Sequence, residues 1–428
     1  MKTIFKHPWV AVSLLMVAYI CSFMDRYILN LLVEPLKRDM QLSDTAVGLL
    51  LGASFALFYA TLGVPAGFLA DRVSRKNLIA AGIALWSLMT ALGGVAQNYW
   101  QLFLTRMGVG IGEATLSPAA YSFIADLFPR EKLASALSFY SMGIYLGSGM
   151  AYLAGGKILD WVQDLPPIEL FNQVHIFNWQ WVLIAAGLPG LLVAGGVWGL
   201  HEPVRKEVDT HHRQVVLLKL PIAIWQLLQS QPIFRWLCIA SAFFTVVSYA
   251  FSAWAPTALM RVWHTDLKTT SIFMGLLMML GAPAGVIMGG IWADTRKNVK
   301  QISSQTAIFT FTAAGLIPVM SCLPLMSAAW SAMLCFTVAT LLLSAPVGVT
   351  AAFLQRIISP HARGLASASL LLFQNLLGLG LGPTLVALLT DYYFQQPQAV
   401  AKSLSLTSVV ALTVSLLAFA RVAKLAGK

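Results

Sequence analysis

Four charged side chains lie inside long apolar stretches of this sequence. Asp25 and Arg26 are neighbours in the stretch from Trp9 to Leu32, and Arg106 and Glu113 share a later one. An ionisable residue near the middle of a bilayer is costly, so it normally faces protein or a water-filled cavity and marks a pathway. Two acids and two bases in such positions predict a transport pathway whose cycle involves a proton.

The spacing of Arg106 and Glu113 places them on one face of a helix, about 10 Å apart along its axis. Asp25 falls between them in depth, so the charges can cluster if both helices face one cavity. We expect Asp25 or Glu113 to carry the proton. Arg106 is the predicted anchor for a negative substrate group, with Glu113 as its partner when the site is empty and Arg26 as the next candidate. A purely structural ion-pair network is the alternative.

The composition is that of a membrane protein. The chain has 428 residues, of which 58% are hydrophobic and only 11% charged, whereas soluble proteins carry about 25% charged residues. The net charge of +11 comes from Lys and Arg residues that fall between apolar runs. Membrane topology explains that distribution better than nucleic-acid binding. We therefore expect no nucleic-acid partner. The four cysteines form no pair with metal-ligand spacing, so we also expect no metal.

Continuous apolar runs of about 20 residues each predict a membrane-spanning helix. The runs do not alternate as barrel strands do, so the predicted fold is an all-α polytopic membrane protein. Twelve spans are expected, at residues 8–32, 45–69, 77–97, 99–121, 132–158, 179–200, 233–258, 269–292, 301–323, 329–350, 363–390 and 403–423.

The distribution of basic residues predicts the orientation of these spans. Twenty of the 28 Lys and Arg residues fall on the side that holds both termini, and five on the other side. Positive charge is enriched on the cytoplasmic side, so both termini are expected there. The expected location is the plasma membrane, or the inner membrane of a bacterium, with the chain as a monomer in the lipid bilayer.

The chain reads as two six-helix halves, residues 1–200 and 233–428, joined by a cytoplasmic linker at 201–232. Gly67–Asp71 is echoed by Gly290–Asp294, and Gly147 recurs as Gly378, 231 residues later. Such a duplication is typical of secondary transporters that bind substrate between their halves. The same shift carries Arg106 and Glu113 onto the uncharged Thr337 and Ser344, so the charged set is confined to the first half.

The segment Gly67-Phe-Leu-Ala-Asp-Arg-Val-Ser-Arg-Lys76 resembles the loop signature of the major facilitator superfamily, with Ser74 where that family usually has Gly. Within it, the chain resembles the spinster family of lysolipid and sphingolipid transporters. That resemblance rests on four segments: Phe23–Arg26, Arg106–Ala114, Ala125–Pro129 and Ser252–Pro256. It implies that helices one and four face the same cavity. Related organic-anion and sugar-acid symporters carry similar charges, so a carboxylate or sugar acid stays open as the alternative substrate.

Two further groups of residues are predicted to serve the cycle. A cytoplasmic latch is expected where Arg72 or Arg75 reaches Asp126, and where Asp71 caps a helix end. The whole latch set is Gly67, Asp71, Arg72, Arg75, Asp126 and, in the second copy, Asp294. The second half is expected to add substrate contacts from Tyr249, Trp254, Gln374 and Asn375.

Competing classes find little support in the sequence. It holds no H-E-x-x-H segment, no convincing nucleophile with a base and no G-x-x-x-x-G-K-[ST] loop, which argues against a membrane-embedded enzyme or an ATP-driven pump. A channel or a lipid scramblase stays open. The favoured interpretation is a carrier of an amphipathic or anionic small molecule, without a cofactor and with a proton gradient as its energy source.

Overall fold

The computed structural model describes residues 7–162, 164, 168–170, 174–205, 220–295, 301–359 and 362–426, and these residues are almost entirely helical. The predicted all-α, multi-pass architecture is confirmed. A short antiparallel hairpin, β1 (Ile168–Leu170) and β2 (Val174–Ile176), joins two of the helices, with Ile168 paired to Ile176.

The helices of the first half are α1 (Pro8–Tyr27), α2 (Val33–Met40), α3 (Asp44–Leu51), α4 (Ala53–Ala70), α5 (Arg75–Gly93), α6 (Tyr99–Glu113), α7 (Leu116–Leu127), α8 (Arg130–Val162) and α9 (Asn178–Trp198). A 3-10 turn, Ile28–Leu31, follows α1. Pro8 starts α1 at a position where a missing N–H costs nothing. Asn98 caps α6 by accepting a hydrogen bond from the Gln101 N–H at 3.0 Å.

The second half begins with α10 (Leu220–Ser230) and continues with α11 (Pro232–Val262), α12 (Leu267–Leu276), α13 (Ala282–Thr295), α14 (Gln301–Cys322), α15 (Ala329–Ser344), α16 (Pro346–Ile357), α17 (Arg363–Phe373), α18 (Gly380–Leu388) and α19 (Val400–Ala426). Three π-helical turns, Leu277–Gly281, Gln374–Leu379 and Leu389–Phe394, follow α12, α17 and α18. Short 3-10 turns, Leu323–Leu325 and Pro397–Ala399, precede α15 and α19.

Ten helical stretches of the described residues are long and apolar enough to cross a membrane. The predicted spans outside this set are 99–121 and 132–158. The first is divided between α6 and α7 at Ala114 and Thr115. The second, α8, has 33 residues, enough for about 50 Å, but its glycines, serines and tyrosines lower its hydropathy. The number twelve therefore stays a prediction.

The chain forms two compact units. The first unit contains Met1–Ser43, Ser54–Gln214 and Leu267–Gly275, and the second contains Asp44–Ala53, Val215–Asp266 and Leu276–Lys428. In the first unit α1 packs on α8 and α5 packs on α9, whereas α11 and α14 pack on α19 in the second. Each unit includes a short segment from the other half of the sequence. The predicted bundles, 1–200 and 233–428, stay a prediction.

Glycines bring helices together at equivalent places in the two units. A Cβ added at Gly147 of α8 would lie 2.5 Å from the Ile20 carbonyl oxygen of α1. In the second unit, a Cβ at Gly378 would lie 2.5 Å from the Thr245 hydroxyl oxygen of α11. Neither place has room for a side chain, so these glycines permit the close helix packing that the sequence predicts.

Candidate functional site

All four charged residues that the sequence singled out are buried in the first unit. Asp25 and Arg26 occupy the last turns of α1, and their exposed fractions are 1% and 8%. Arg106 and Glu113 lie on α6 with exposed fractions of 3% and 1%. The structure therefore brings the predicted cluster together.

The ion pair within this cluster differs from the predicted one. Glu113 Oε2 lies 2.5 Å from Arg26 Nη2 and accepts a second hydrogen bond, at 2.8 Å, from the Ser22 hydroxyl. Arg106 instead donates from Nη1 to the backbone carbonyl of Asp25 at 3.1 Å. The expectation that Arg106 is the partner of Glu113 is wrong, because a seven-residue separation along α6 leaves about 10 Å between them. Arg26 of the neighbouring helix is closer.

Aromatic rings surround the Arg26 guanidinium. Its central carbon lies 4.7 Å from the Phe23 ring, 4.7 Å from the Phe55 ring and 4.6 Å from the Tyr59 ring. Rings at such distances attract a cation through their negative faces. Arg26 is thus held by a carboxylate and by three rings.

Asp25 has a different environment from Glu113. Both of its carboxylate oxygens are buried, and neither accepts a hydrogen bond. The Thr90 hydroxyl of α5 is the polar side chain beside it, and that hydroxyl also completes no hydrogen bond. Arg106 and Glu113 are the charged side chains that act electrostatically on Asp25. A buried carboxylate in this position is costly to keep ionised.

Close packing around α6 depends on the glycines between Arg106 and Glu113. A Cβ at Gly110 would lie 2.7 Å from the Phe55 carbonyl oxygen of α4, and a Cβ at Gly112 would lie 2.8 Å from the Gly82 carbonyl oxygen of α5. These contacts bring α4 and α5 close to the α6 backbone between Arg106 and Glu113. The prediction that small residues let neighbouring helices approach is confirmed.

The second unit holds the other predicted contact residues. The Tyr249 hydroxyl donates to Asn375 Oδ1 at 3.4 Å, and Gln374 and Asn375 open the π-helical turn after α17. Such turns are frequent at functional sites. Trp254 is fully buried, and its indole N–H donates to the Pro383 carbonyl at 2.8 Å. It presents no surface to a ligand in this structure, so its role here is packing.

The loop between α4 and α5 contains the predicted latch. Arg75 forms an ion pair with Asp126, as expected, and its Nη1 also donates to the Ser122 hydroxyl at 3.0 Å. Arg72 stacks on the Phe68 ring at 3.7 Å. The Gly67 Cα faces Pro118 with room for a small side chain. The side chain of Asp294, in the second copy of the motif, lies outside the described residues.

Glu202 is a member of this network that the sequence reasoning missed. It accepts hydrogen bonds from the Ser74 hydroxyl at 2.8 Å, from Arg75 Nε at 2.9 Å and from the Lys76 backbone N–H at 3.0 Å. Burial alone would raise the pKa of Glu202, but these hydrogen bonds together lower its pKa below the ordinary value. Glu202 thus caps the start of α5, where Ser74 makes no side-chain cap of its own.

Arg205 completes the network from the same side. Its Nη2 donates to the carbonyls of Ala70 at 2.9 Å and Val73 at 2.7 Å, and its Nη1 donates to the Asp71 carbonyl. It therefore satisfies carbonyls that the end of α4 leaves open. The sequence carried a signal for both residues, because His201–Arg205 is a charged segment immediately after an apolar helix.

Comparisons with known proteins agree with this geometry. The family model described as Major Facilitator Superfamily matches residues 15–422. A protein of Mycolicibacterium smegmatis described as an MFS-type efflux pump is 29% identical over 391 residues, 90% of this chain and 85% of that protein. Human protein spinster homolog 1 is 28% identical over 408 residues, 89% and 73% of the two chains.

A solved structure shows the same fold. It is described as a bacterial homolog to the human lysosomal transporter Spinster. The alignment has a TM-score of 0.82, covers 98% of this chain and 97% of that one, and has 24% sequence identity. The described helices therefore follow a known architecture.

Proposed function

This chain belongs to the Major Facilitator Superfamily of membrane transporters, and on that basis we propose that it is a proton-coupled carrier of an amphipathic or anionic small molecule. It is an integral, multi-pass membrane protein. The finer parts of the proposal are the coupling ion, the substrate class, the cytoplasmic location of both termini, a bacterial inner or plasma membrane, and a monomeric state without a cofactor.

The observation that carries the proton proposal is the unequal environment of two buried acids. Glu113 has a counter-ion in Arg26 and a hydroxyl donor in Ser22. Asp25 has neither, and both of its oxygens are buried without a hydrogen bond. A carboxyl in this environment is more easily kept neutral than one with a counter-ion. We therefore propose that Asp25 carries the exchangeable proton and that Glu113 positions Arg26 as its counter-ion.

Arg106 is the proposed anchor for a negative substrate group. One of its terminal nitrogens holds the Asp25 carbonyl, and its Nε donates to no acceptor. A guanidinium with free donors suits phosphate or carboxylate. Because Arg106 holds the backbone of the residue that carries the proton, binding an anion at Arg106 would alter the surroundings of Asp25. That contact gives a physical route for coupling substrate to proton.

The substrate class rests on the resemblance to the spinster family and stays a proposal. A lysolipid or sphingoid-like amphiphile is the first choice, with Tyr249, Gln374 and Asn375 as further contacts. A proton-linked organic anion, such as a carboxylate or sugar acid, is the alternative. This alternative is supported by the Arg106 guanidinium, because a guanidinium can bind an anion that has no acyl chain.

The experiment uses the full chain in vesicles that enclose a pH-sensitive dye. Lysophosphatidic acid, sphingosine and gluconate are added separately, and the ligand-dependent proton flux is recorded. We expect Asp25→Asn to abolish this flux and Glu131→Gln, which alters an exposed carboxylate, to leave it unchanged. A wild-type flux in Asp25→Asn would contradict the proton assignment.

The same assay tests the anchor. Arg106→Lys should raise the half-maximal concentration of an anionic ligand about tenfold, because a point charge cannot replace a bidentate fork. A proton flux that appears with sphingosine, but with neither lysophosphatidic acid nor gluconate, would contradict an anionic substrate. It would also contradict the anchor role of Arg106.

A further inference from the structure

Two of the four cysteines lie close together at the turn that joins α14 to α15. Cys322 is the last residue of α14 and is exposed, whereas Cys335 lies in the second turn of α15 and is half-buried. Cys21 and Cys238 are both buried. Cys322 and Cys335 are therefore the two cysteines with surface open to a reagent.

The Cys335 side chain reaches the last turn of α14. Its Sγ donates to the Val319 carbonyl oxygen at 3.2 Å. In an α-helix the carbonyl of one residue points along the axis toward the N–H four residues later, which here is the turn that contains Cys322. Cys322 follows Val319 by three residues, so the two share one face of α14. The Cys335 sulfur therefore lies beside the turn that carries the Cys322 thiol.

Two further points agree with this placement. The Cys322 thiol acts electrostatically on the Cys335 thiol, and such an interaction weakens as the distance grows. In addition, α14 packs on α15. The axes of packed helices lie about 8–10 Å apart, and each Cα lies about 2.3 Å from its axis. Facing residues can thus approach within the Cα separation of about 7 Å that a disulfide requires.

The end of α11 holds this turn in place. The indole N–H of Trp263, directly after α11, donates to the Met326 carbonyl at 2.8 Å. The Trp263 ring also meets the ring of Phe336, the residue after Cys335, edge-on with centroids 6.1 Å apart. A pair of thiols on a fixed scaffold reacts with each other in preference to a thiol of another molecule.

We propose that Cys322 and Cys335 form a modification site at which a disulfide bond closes the turn between α14 and α15. Cys322 is the thiol that reacts first, because attack on an oxidant requires access, and Cys335 completes the bond. The inference rests on the proposed orientation, which places this turn outside the cytoplasm, where disulfides persist. It is independent of the substrate and of the proton assignment.

The oxidant is a small disulfide such as oxidised glutathione. The Cys322 thiolate attacks one sulfur of that disulfide and breaks its S–S bond, and the departing thiolate takes up the proton that Cys322 lost. The Cys335 thiolate then attacks the Cys322 sulfur of the mixed disulfide, and the second glutathione leaves with the proton from Cys335. The two cysteines have lost two protons and two electrons, and the oxidant has become two thiols.

The test follows the cysteines in the full chain, reduced and held in lipid nanodiscs. Oxidised glutathione is added, the remaining thiols are alkylated with N-ethylmaleimide in denaturant, and the digested protein is analysed by mass spectrometry. In the parent we expect the peptides of Cys322 and Cys335 to be joined in most chains. The buried Cys21 and Cys238 should stay thiols.

Three variants separate the roles of the two thiols. Cys335→Ala should stop at the mixed disulfide, so that Cys322 keeps one glutathione. Cys322→Ala should leave Cys335 as a thiol. The matched control combines Cys322→Ala with Ser321→Cys, which moves the thiol about 100° around α14 to another exposed position. It should form the mixed disulfide at position 321 and about tenfold less bond to Cys335 than the parent, because the thiol then points away from Cys335.

The proposal is wrong if both thiols of the parent stay unmodified, or if the parent retains glutathione on Cys322 as Cys335→Ala does. It is also wrong if the control with the thiol at position 321 forms as much bond to Cys335 as the parent.

A separate measurement tests the orientation on which the site depends. A membrane-impermeant maleimide is applied to reduced cells that produce the parent, either intact or lysed, and we expect Cys322 to be labelled in both. Labelling in lysed cells alone would overturn the orientation, and with it the site, even if the bond forms in nanodiscs. A Cys322 that is labelled in intact cells but forms no bond would overturn the site alone.

Discussion

The two units share a helix-packing device but not their chemistry. In the first unit, Gly147 brings α8 against α1, and α1 carries a buried acid and a buried base. In the second unit, Gly378 brings the π-helical turn after α17 against α11. Near that contact α11 offers Tyr249, an uncharged group that donates to Asn375. The duplicated architecture has therefore kept its packing, while the charges of Arg106 and Glu113 have no counterpart 231 residues later.

This difference separates structural from functional requirements. Close helix contacts need a small residue wherever two backbones meet, so both copies must satisfy the same steric condition. A proton site needs only one carboxyl group, and each additional buried charge is costly. The counterparts of Arg106 and Glu113 at a shift of 231 residues are Thr337 and Ser344, and the Thr337 hydroxyl donates to the Met333 carbonyl of its own helix at 2.9 Å. The second copy thus avoids that cost at these two positions.

The largest expected effect is the loss of Arg26. Arg26→Ala leaves Glu113 buried without a counter-ion and should lower the free energy of unfolding by about 3–5 kcal/mol. Ser344→Ala, at the counterpart of Glu113 in the second unit, should change it by less than about 0.5 kcal/mol. Denaturation of the purified protein by increasing amounts of sodium dodecyl sulfate measures both.

The pairing can be isolated with a double variant. Arg26→Ala combined with Glu113→Ala should cost less than the sum of the two single changes, because neither charge is then left alone. Strict additivity would mean that the two side chains do not stabilise one another and that Glu113 has another partner.

A smaller effect, equal in both copies, is expected at the glycine contacts. Gly147→Ala and Gly378→Ala should each lower the free energy of unfolding by about 1–3 kcal/mol, because the added Cβ overlaps an atom of the neighbouring helix. Gly195→Ala is the matched control, since a Cβ at Gly195 meets nothing within 4 Å. A loss at Gly147 alone would break the parallel between the units.

The sequence predicted the parts of this structure that depend on residue type and spacing. The all-α fold, the family resemblance, the burial of Asp25 and Glu113, the glycine contacts and the Arg75–Asp126 pair are confirmed. The predicted partner of Glu113, Arg106, is wrong, because spacing along one helix cannot tell which neighbouring helix supplies a counter-ion. The roles of the site residues stay a prediction.

Other features depend on contacts between distant parts of the chain. Glu202 is 126 residues from Lys76, so the charged segment at His201–Arg205 marks a polar site but does not tell which helix start Glu202 caps. Asp391 likewise accepts a hydrogen bond from the backbone N–H of Thr45, which is 346 residues away. The start of α5, which Glu202 caps, has no side-chain cap from Ser74, and a helix start of this kind is a sequence signal for a distant partner.

The smallest expected effect is that of Glu202→Gln, which tests a difference between the two copies of the loop motif. Aligning Gly67 with Gly290 sets Lys297, Asn298 and Val299 against Ser74, Arg75 and Lys76, so the second copy lacks the arginine that Glu202 binds. Glu202→Gln should therefore destabilise only the first unit. We expect a loss of about 1 kcal/mol at neutral pH, because charge-assisted hydrogen bonds to a partly exposed group are weakened by solvent.

The pH dependence of this loss identifies its cause. The hydrogen bonds from Ser74, Arg75 and Lys76 hold the pKa of Glu202 below its ordinary value of 4.5. The stabilisation is therefore fully present above pH 4.5 and is lost as the pH falls through the lower pKa of the folded protein. The difference in thermal unfolding between the parent and Glu202→Gln should be constant from pH 8 to about pH 5.5 and then shrink. Glu131→Gln, which alters an exposed carboxylate, is the control variant in the same measurement. A loss that persists unchanged at pH 4 would show that the shape of the Glu202 side chain, rather than its charge, holds the start of α5.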